Sequence, residues 1–142
     1  MKLCIAILAC AALASAANVT DTVSYVDHDK AAIALAKGGA LASGSDYKVS
    51  GARRDKAGQV EVHEKETDIF YITDGEATFI TGGTMIGGKQ TGPGQLLGTD
   101  IEGGEVHHLT KGDVIVIPAG TPHWFKEVPH SVNYYMVKVV KP

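Results

Sequence analysis

Beyond residue 47 the chain alternates apolar and polar positions in short runs rich in Val, Ile, Thr, Tyr and Phe, broken by Gly, Asp and Pro. That is the pattern of half-buried β-strands. Nine runs read as strands: 47–53, 59–63, 68–73, 76–81, 95–101, 105–110, 113–117, 123–127 and 132–140. Nine short strands in one chain predict an all-β sandwich or barrel. Asp74-Gly75, between two alternating runs, predicts a tight hairpin, because glycine tolerates the positive φ of such a turn. Nine of the 17 glycines fall within 82–104, which predicts a long solvated loop, with a flap over a pocket as the alternative. A phosphate cradle is set aside, since no helix-forming pattern follows these glycines.

Ahead of the strands the period changes. Asp27 stands in an N-cap position before 28–37, and Gly38-Gly39 stops the run. Ala31, Ala32 and Leu35 recur at helical spacing, so one short amphipathic helix with one packed face is expected. Further upstream, Lys2, the apolar run 3–13 and Ala14-Ser15-Ala16 have the anatomy of a secretory signal peptide cleaved near Ala16. The apolar run is too short to span a bilayer, and no other stretch comes near the length needed. The organisation read from the chain is therefore a signal peptide over 1–16, an N-terminal segment with a short helix over 17–46, and a β domain over 47–142.

Composition narrows the function classes. A chain of 142 residues suits one domain. Its formal charge is −3, and loss of Lys2 with the leader makes it one unit more negative, which argues against nucleic acid or anionic lipid as a partner. Both cysteines, Cys4 and Cys10, lie in the leader, so the remaining domain has no disulfide framework. An exported domain without disulfides points to a secreted or periplasmic bacterial protein. The competing reading is a lipoprotein acylated at Cys10, with Ile7 to Cys10 as a loose lipobox. No Gly-x-Ser-x-Gly setting surrounds any serine, so nucleophilic catalysis has no candidate.

Candidate chemistry gathers in two segments. Alternation along 60–63 puts Glu61 and His63 on one face of a strand and Val60 and Val62 on the other. In the second segment, a strand entered at Gly112 runs to Pro118, and Pro118-Ala-Gly-Thr-Pro122 is a stiff turn that delivers His123 at the head of the next strand. His107 and His108 are strand neighbours and face opposite ways, so they cannot share one ion; these two, His28 and His130 read as surface histidines.

The two segments resemble the signature motifs of the cupin family. In the second, Gly112, Pro118, Gly120 and His123 fall in place, with Glu127 where Asn is usual; in the first, Gly75 lies seven positions after Asp68, so Asp68 takes the Glu position, His63 the second His and Glu61 the first. The resemblance covers most of the chain after Tyr47. It implies a single cupin β-barrel, a double-sheet jelly roll, that brings His63, Asp68 and His123 together as a two-histidine, one-carboxylate metal site. Glu61 would be a fourth ligand or an acceptor holding a ring N–H. Two carboxylates beside two neutral imidazoles would carry about two negative charges, which a divalent cation, Fe²⁺, Mn²⁺ or Zn²⁺, would compensate.

Phe70 and Phe125 share strand parity with Asp68 and His123 and would wall the pocket, while Tyr71 and Trp124 face away; Tyr134 and Met136 share a face whose direction the sequence leaves open. Glu61 and Glu127 are the candidate general bases. Three functional readings follow: a metal-dependent enzyme acting on a small molecule, a non-catalytic small-ligand-binding barrel with a degraded metal site, and an interaction protein, with a homodimer through sheet edges.

Overall fold

The computed structural model describes residues 22–141, so the signal peptide and the Cys10 lipobox lie outside the described residues. One helix, α1 (His28–Lys37), precedes twelve strands: β1 (Gly39–Ser43), β2 (Tyr47–Arg54), β3 (Val60–His63), β4 (Glu66–Thr81), β5 (Thr84–Ile86), β6 (Lys89–Gly92), β7 (Gln95–Gly98), β8 (Asp100–Glu102), β9 (Glu105–Thr110), β10 (Val114–Ile117), β11 (His123–Glu127) and β12 (Val132–Val140). All pairings are antiparallel. The result is a double-sheet jelly roll, and no helix among the described residues is long and apolar enough to cross a membrane.

One strand belongs to both sheets. The first half of β4 lies between β12 and β10, and its second half pairs with β9 and β11. The two runs read as a hairpin at Asp74-Gly75 are thus successive halves of one bent strand, and they do not pair with each other. Asp-Gly signals a backbone position that needs positive φ, and here that freedom serves the change of sheet. Gly75 has φ 78°, and a Cβ there would stand 1.9 Å from the Ser131 carbonyl oxygen, so only glycine fits against β12.

The glycine-rich stretch 82–104 is also more ordered than its composition predicts. It folds into β5 to β8: β7 adds to the edge of β3, β6 adds to β7, and β5 with β8 forms a separate two-stranded sheet. The expected strand over 95–101 is split at Thr99, whose amide donates to the Ile86 carbonyl. β1 escapes the sequence reading because its Gly, Ala and Ser carry little strand propensity; it forms by pairing on the edge of β2.

α1 starts and stops as expected. The Lys30 amide donates to Asp27 Oδ1 at 3.0 Å, and Gly38, at φ 76°, donates to the Ala34 carbonyl at 2.8 Å. Its buried residue is Ala34, which sits on Gly51 of β2, while Ala32 of the expected packing face is exposed.

The main core lies between the sheets: Phe70, Ile72, Ala77, Phe79, Leu109, Ile117, Phe125, Val132 and Tyr134. Phe70 and Phe125 stack with centroids 5.9 Å apart, and Phe79 meets Phe125 edge-on at 4.6 Å. Each such buried ring contributes roughly 1.5–3 kcal/mol by leaving water. A smaller cluster of Val60, Ile80 and Ile101, with Met85 and Trp124, fills the space under β5 and β8.

Candidate metal centre

β3 places the first two polar groups. Val60 and Val62 are buried in the direction of the smaller core, so alternation turns Glu61 and His63 into the barrel. His123 enters from the neighbouring strand β11, in register with Glu61. The Pro118–Pro122 turn holds it there: the Thr121 amide donates to the Pro118 carbonyl at 3.1 Å, and the Gly120 amide donates to the His63 carbonyl at 2.8 Å.

Each imidazole is anchored through Nδ1. His123 Nδ1 lies 3.0 Å from the Thr121 carbonyl oxygen, and His63 Nδ1 bonds Gln95 Oε1, its cross-strand partner on β7. Both partners are acceptors, so Nδ1 carries the proton and Nε2 presents its lone pair to the cavity, the arrangement of a metal-ligating histidine. His63 Nε2 is 3.4 Å from Glu61 Oε2 and 3.5 Å from Asp68 Oδ2, and His123 Nε2 is 3.7 Å from the same Asp68 oxygen. Two lone pairs and two carboxylate oxygens at such distances need a proton or a cation among them. One ligand atom from each of Glu61, His63 and His123 lies within 4.8 Å of the other two, so these three side chains can hold a metal ion.

Asp68 is placed between the histidines and is differently committed. It is 1% exposed, and Lys138, its register partner on β12, approaches its two oxygens at 2.8 and 3.0 Å. Arg54 does the same for Glu61, donating from Nη2 to Oε1 at 3.1 Å. Two cations therefore match the two carboxylates, and the expected excess of two negative charges is absent. The sequence reading counted acids and missed Arg54 and Lys138. Lys138 had a signal, since it shares parity with Tyr134 and Met136 on one strand; Gln95 had none, because only the β3–β7 register brings it to His63.

These contacts set the protonation states. Burial works to raise the Glu61 pKa, but the hydrogen bond with His63 and the Arg54 charge outweigh it and hold the carboxyl below its ordinary range. Burial pulls His63 down, yet Glu61 and Asp68 outweigh it together with Gln95, so its pKa is raised despite the Lys138 charge. His123 is more deeply buried, and that burial keeps its pKa low. The two imidazoles are thus shifted in opposite directions, His63 toward the protonated form and His123 toward the neutral one.

The cavity around this ring is about 150 Å³. Phe70, Phe125, Tyr134 and Met136 form its apolar side, which places Phe70 and Phe125 as expected and turns Tyr134 and Met136 inward. Arg54 also donates from Nε to the Tyr134 hydroxyl at 3.4 Å and lies 4.9 Å from the Phe125 centroid, and burial raises the Tyr134 pKa. Trp124 packs into the smaller core and donates to the Gly58 carbonyl, with one edge on the cavity.

Glu127 is not in this cavity. A register shift between Phe125 and Glu127 breaks the parity that linked them, and Glu127 is exposed near Thr78. Tyr71 and His108 are exposed, while His107, on the opposite face of β9, is half-buried against the Thr81 hydroxyl at 2.8 Å.

The cupin family profile matches residues 27–142, and the chain belongs to that family. No curated protein matches it in sequence. Among solved structures it is similar to the Cnp3 cupin domain of Schizosaccharomyces pombe, with 12% identity and a TM-score of 0.53 over 72% of this chain and 59% of that one. A protein of Bacillus halodurans gives 16% identity and a TM-score of 0.53, over 72% and 69% of the two chains. A double-stranded β-helix protein of Klebsiella pneumoniae gives 16% and 0.50, over 71% and 69%. The chain thus spans about three-fifths of the fission-yeast domain. At these identities the likeness is one of fold.

Proposed function

We propose that this cupin is an exported protein that binds a small molecule at a divalent metal ion held by Glu61, His63 and His123. The observation that carries the reading is the shared orientation of the two imidazoles, each tied through Nδ1, with one ligand atom from each of His63, His123 and Glu61 within 4.8 Å of the other two. In that arrangement Glu61 supplies an anionic oxygen, Arg54 and Lys138 orient the two carboxylates, and Phe70 and Phe125 keep bulk water from the apolar side. A bound ion would supply Lewis-acid or redox chemistry at that point. Of the two candidate bases, Glu61 lines the cavity and Glu127 does not, so the base role falls to Glu61.

Elemental analysis of protein expressed and purified without tag or chelator tests this. About one equivalent of Fe, Mn or Zn per chain is expected, lost in His63→Ala and in His123→Ala while the β-sheet circular dichroism is retained. Wild-type protein that stays metal-free after incubation with all three ions overturns the proposal. N-terminal sequencing of secreted material tests the export half, with a start near Ala17 expected.

A second reading has its own support. Arg54 and Lys138 already neutralise the carboxylates, and a proton on His63 can sit where the ion would. Under that reading the barrel captures its ligand without metal, and His63→Ala changes ligand affinity but not metal content.

A further inference from the structure

We infer that the ligand is an organic anion with an apolar body, its charged head beside Glu61, His63 and His123 and its body in an outer chamber floored by β1 and β2. This rests on the metal reading above. The first argument is charge. Arg54 and Lys138 pair with Glu61 and Asp68, and with neutral imidazoles the ring sums to zero. It has nothing left to offset a divalent ion in a buried cavity, and uncompensated buried charge is costly. A ligand that carries negative charge supplies that offset and so binds the loaded site more tightly than a neutral one.

The second argument is space. The inner cavity of about 150 Å³ is of the size that holds one benzene-sized group, so a carboxylate with a short stem fits there and a longer body does not. Across Met136 and Lys138, which wall both spaces, lies a chamber of about 630 Å³, within the range of pockets that enclose organic ligands. Its floor follows from register. Phe70, Met136, Ser50 and Ala40 are successive cross-strand partners on β4, β12, β2 and β1. This row shrinks from Phe to Ala as it leaves the core, and the small side chains of Ser50 and Ala40 leave the chamber open above them. The neighbouring row, Asp68, Lys138, Lys48 and Ser43, carries two ammonium groups along one side, with Glu66 bridging them at 3.3 and 3.0 Å. The outer space thus has a small, largely apolar floor and a polar rail leading to the metal ligands.

Isothermal titration of octanoate, octanol and octylamine into Mn²⁺-loaded and metal-free protein tests the inference. Octanoate is expected to bind one per chain, about tenfold tighter with Mn²⁺ than without, and about tenfold tighter than octanol or octylamine. Ala40→Trp, on the exposed edge strand, and Ser50→Phe both fill the chamber; each should weaken octanoate about tenfold while Mn²⁺ content and melting temperature stay at wild-type values. Equal affinity for octanol and octanoate overturns the anionic head. Unchanged octanoate affinity in both filled variants overturns the chamber. Mn²⁺ is counted before any ligand is added, so failure of metal uptake overturns the metal reading separately, and the filled variants then decide the chamber on metal-free protein.

Discussion

Lys138 is the residue on which the electrostatics of the barrel turn. Its ammonium is nearly buried and touches both Asp68 oxygens and Glu66. Removing one member of a buried ion pair leaves the other desolvated and unpaired, which costs about 3–5 kcal/mol. Lys138→Met should therefore lower unfolding stability by about 3 kcal/mol in urea titrations, and adding Asp68→Asn should recover most of it. Glu66 gives a pH signature. Burial works to raise its pKa, but hydrogen bonds from Lys48 and Lys138 bring it below the ordinary value. A carboxyl whose folded pKa lies below its unfolded pKa adds stability that is complete above the unfolded value, about 4.3, and is lost as pH falls through the folded one. Glu66→Gln should flatten the fall in urea midpoint below about pH 4.5 and leave the slope above pH 6 unchanged. At this scale the ligating types were legible, because Val60-Glu61-Val62-His63 fixes its own facing by alternation and two prolines mark His123. The compensating cations were not: Lys138 meets Asp68 only through the β4–β12 register, and Arg54, though seven residues before Glu61, reaches it from a strand that does not pair with β3.

At the scale of elements, the same dipeptide that signals a hairpin makes a bend. Asp74-Gly75 supplies positive φ, and local sequence does not say whether the chain then doubles back or crosses into a second sheet; the partners β12 and β9, distant in sequence, decide that. Gly75→Ala should destabilise the fold by at least about 2 kcal/mol, from positive φ on a residue with Cβ together with the clash on Ser131. Gly82→Ala, which meets nothing within 4 Å at a similar φ of 73°, isolates the φ contribution and should cost about 1 kcal/mol. The bulge in β11 is the second illegible feature, since it removes Glu127 from a face that simple parity assigns to it. Caps were the opposite case: Asp27 and Gly38 act within four residues of themselves, and α1 begins and ends where they predict.

For the whole molecule, the jelly roll was legible from strand count and from the spacing of Gly112, Pro118, Gly120 and His123. The outer cavity was not, because its lining comes from five strands that are distant in sequence and meet only in the fold. β4 has a further meaning at this scale. It supplies Asp68 and Phe70 before its bend and Phe79 after it, so the polar ring, the aromatic floor and both sheets hang on one continuous backbone. Each sheet has strands of its own, and β4 is the one strand that both pair with. Loosening at the Gly75 bend would reach Asp68 and the aromatic core in the same event, so the barrel is expected to melt as one unit, and a ligand or ion bound at its centre would stabilise both sheets together.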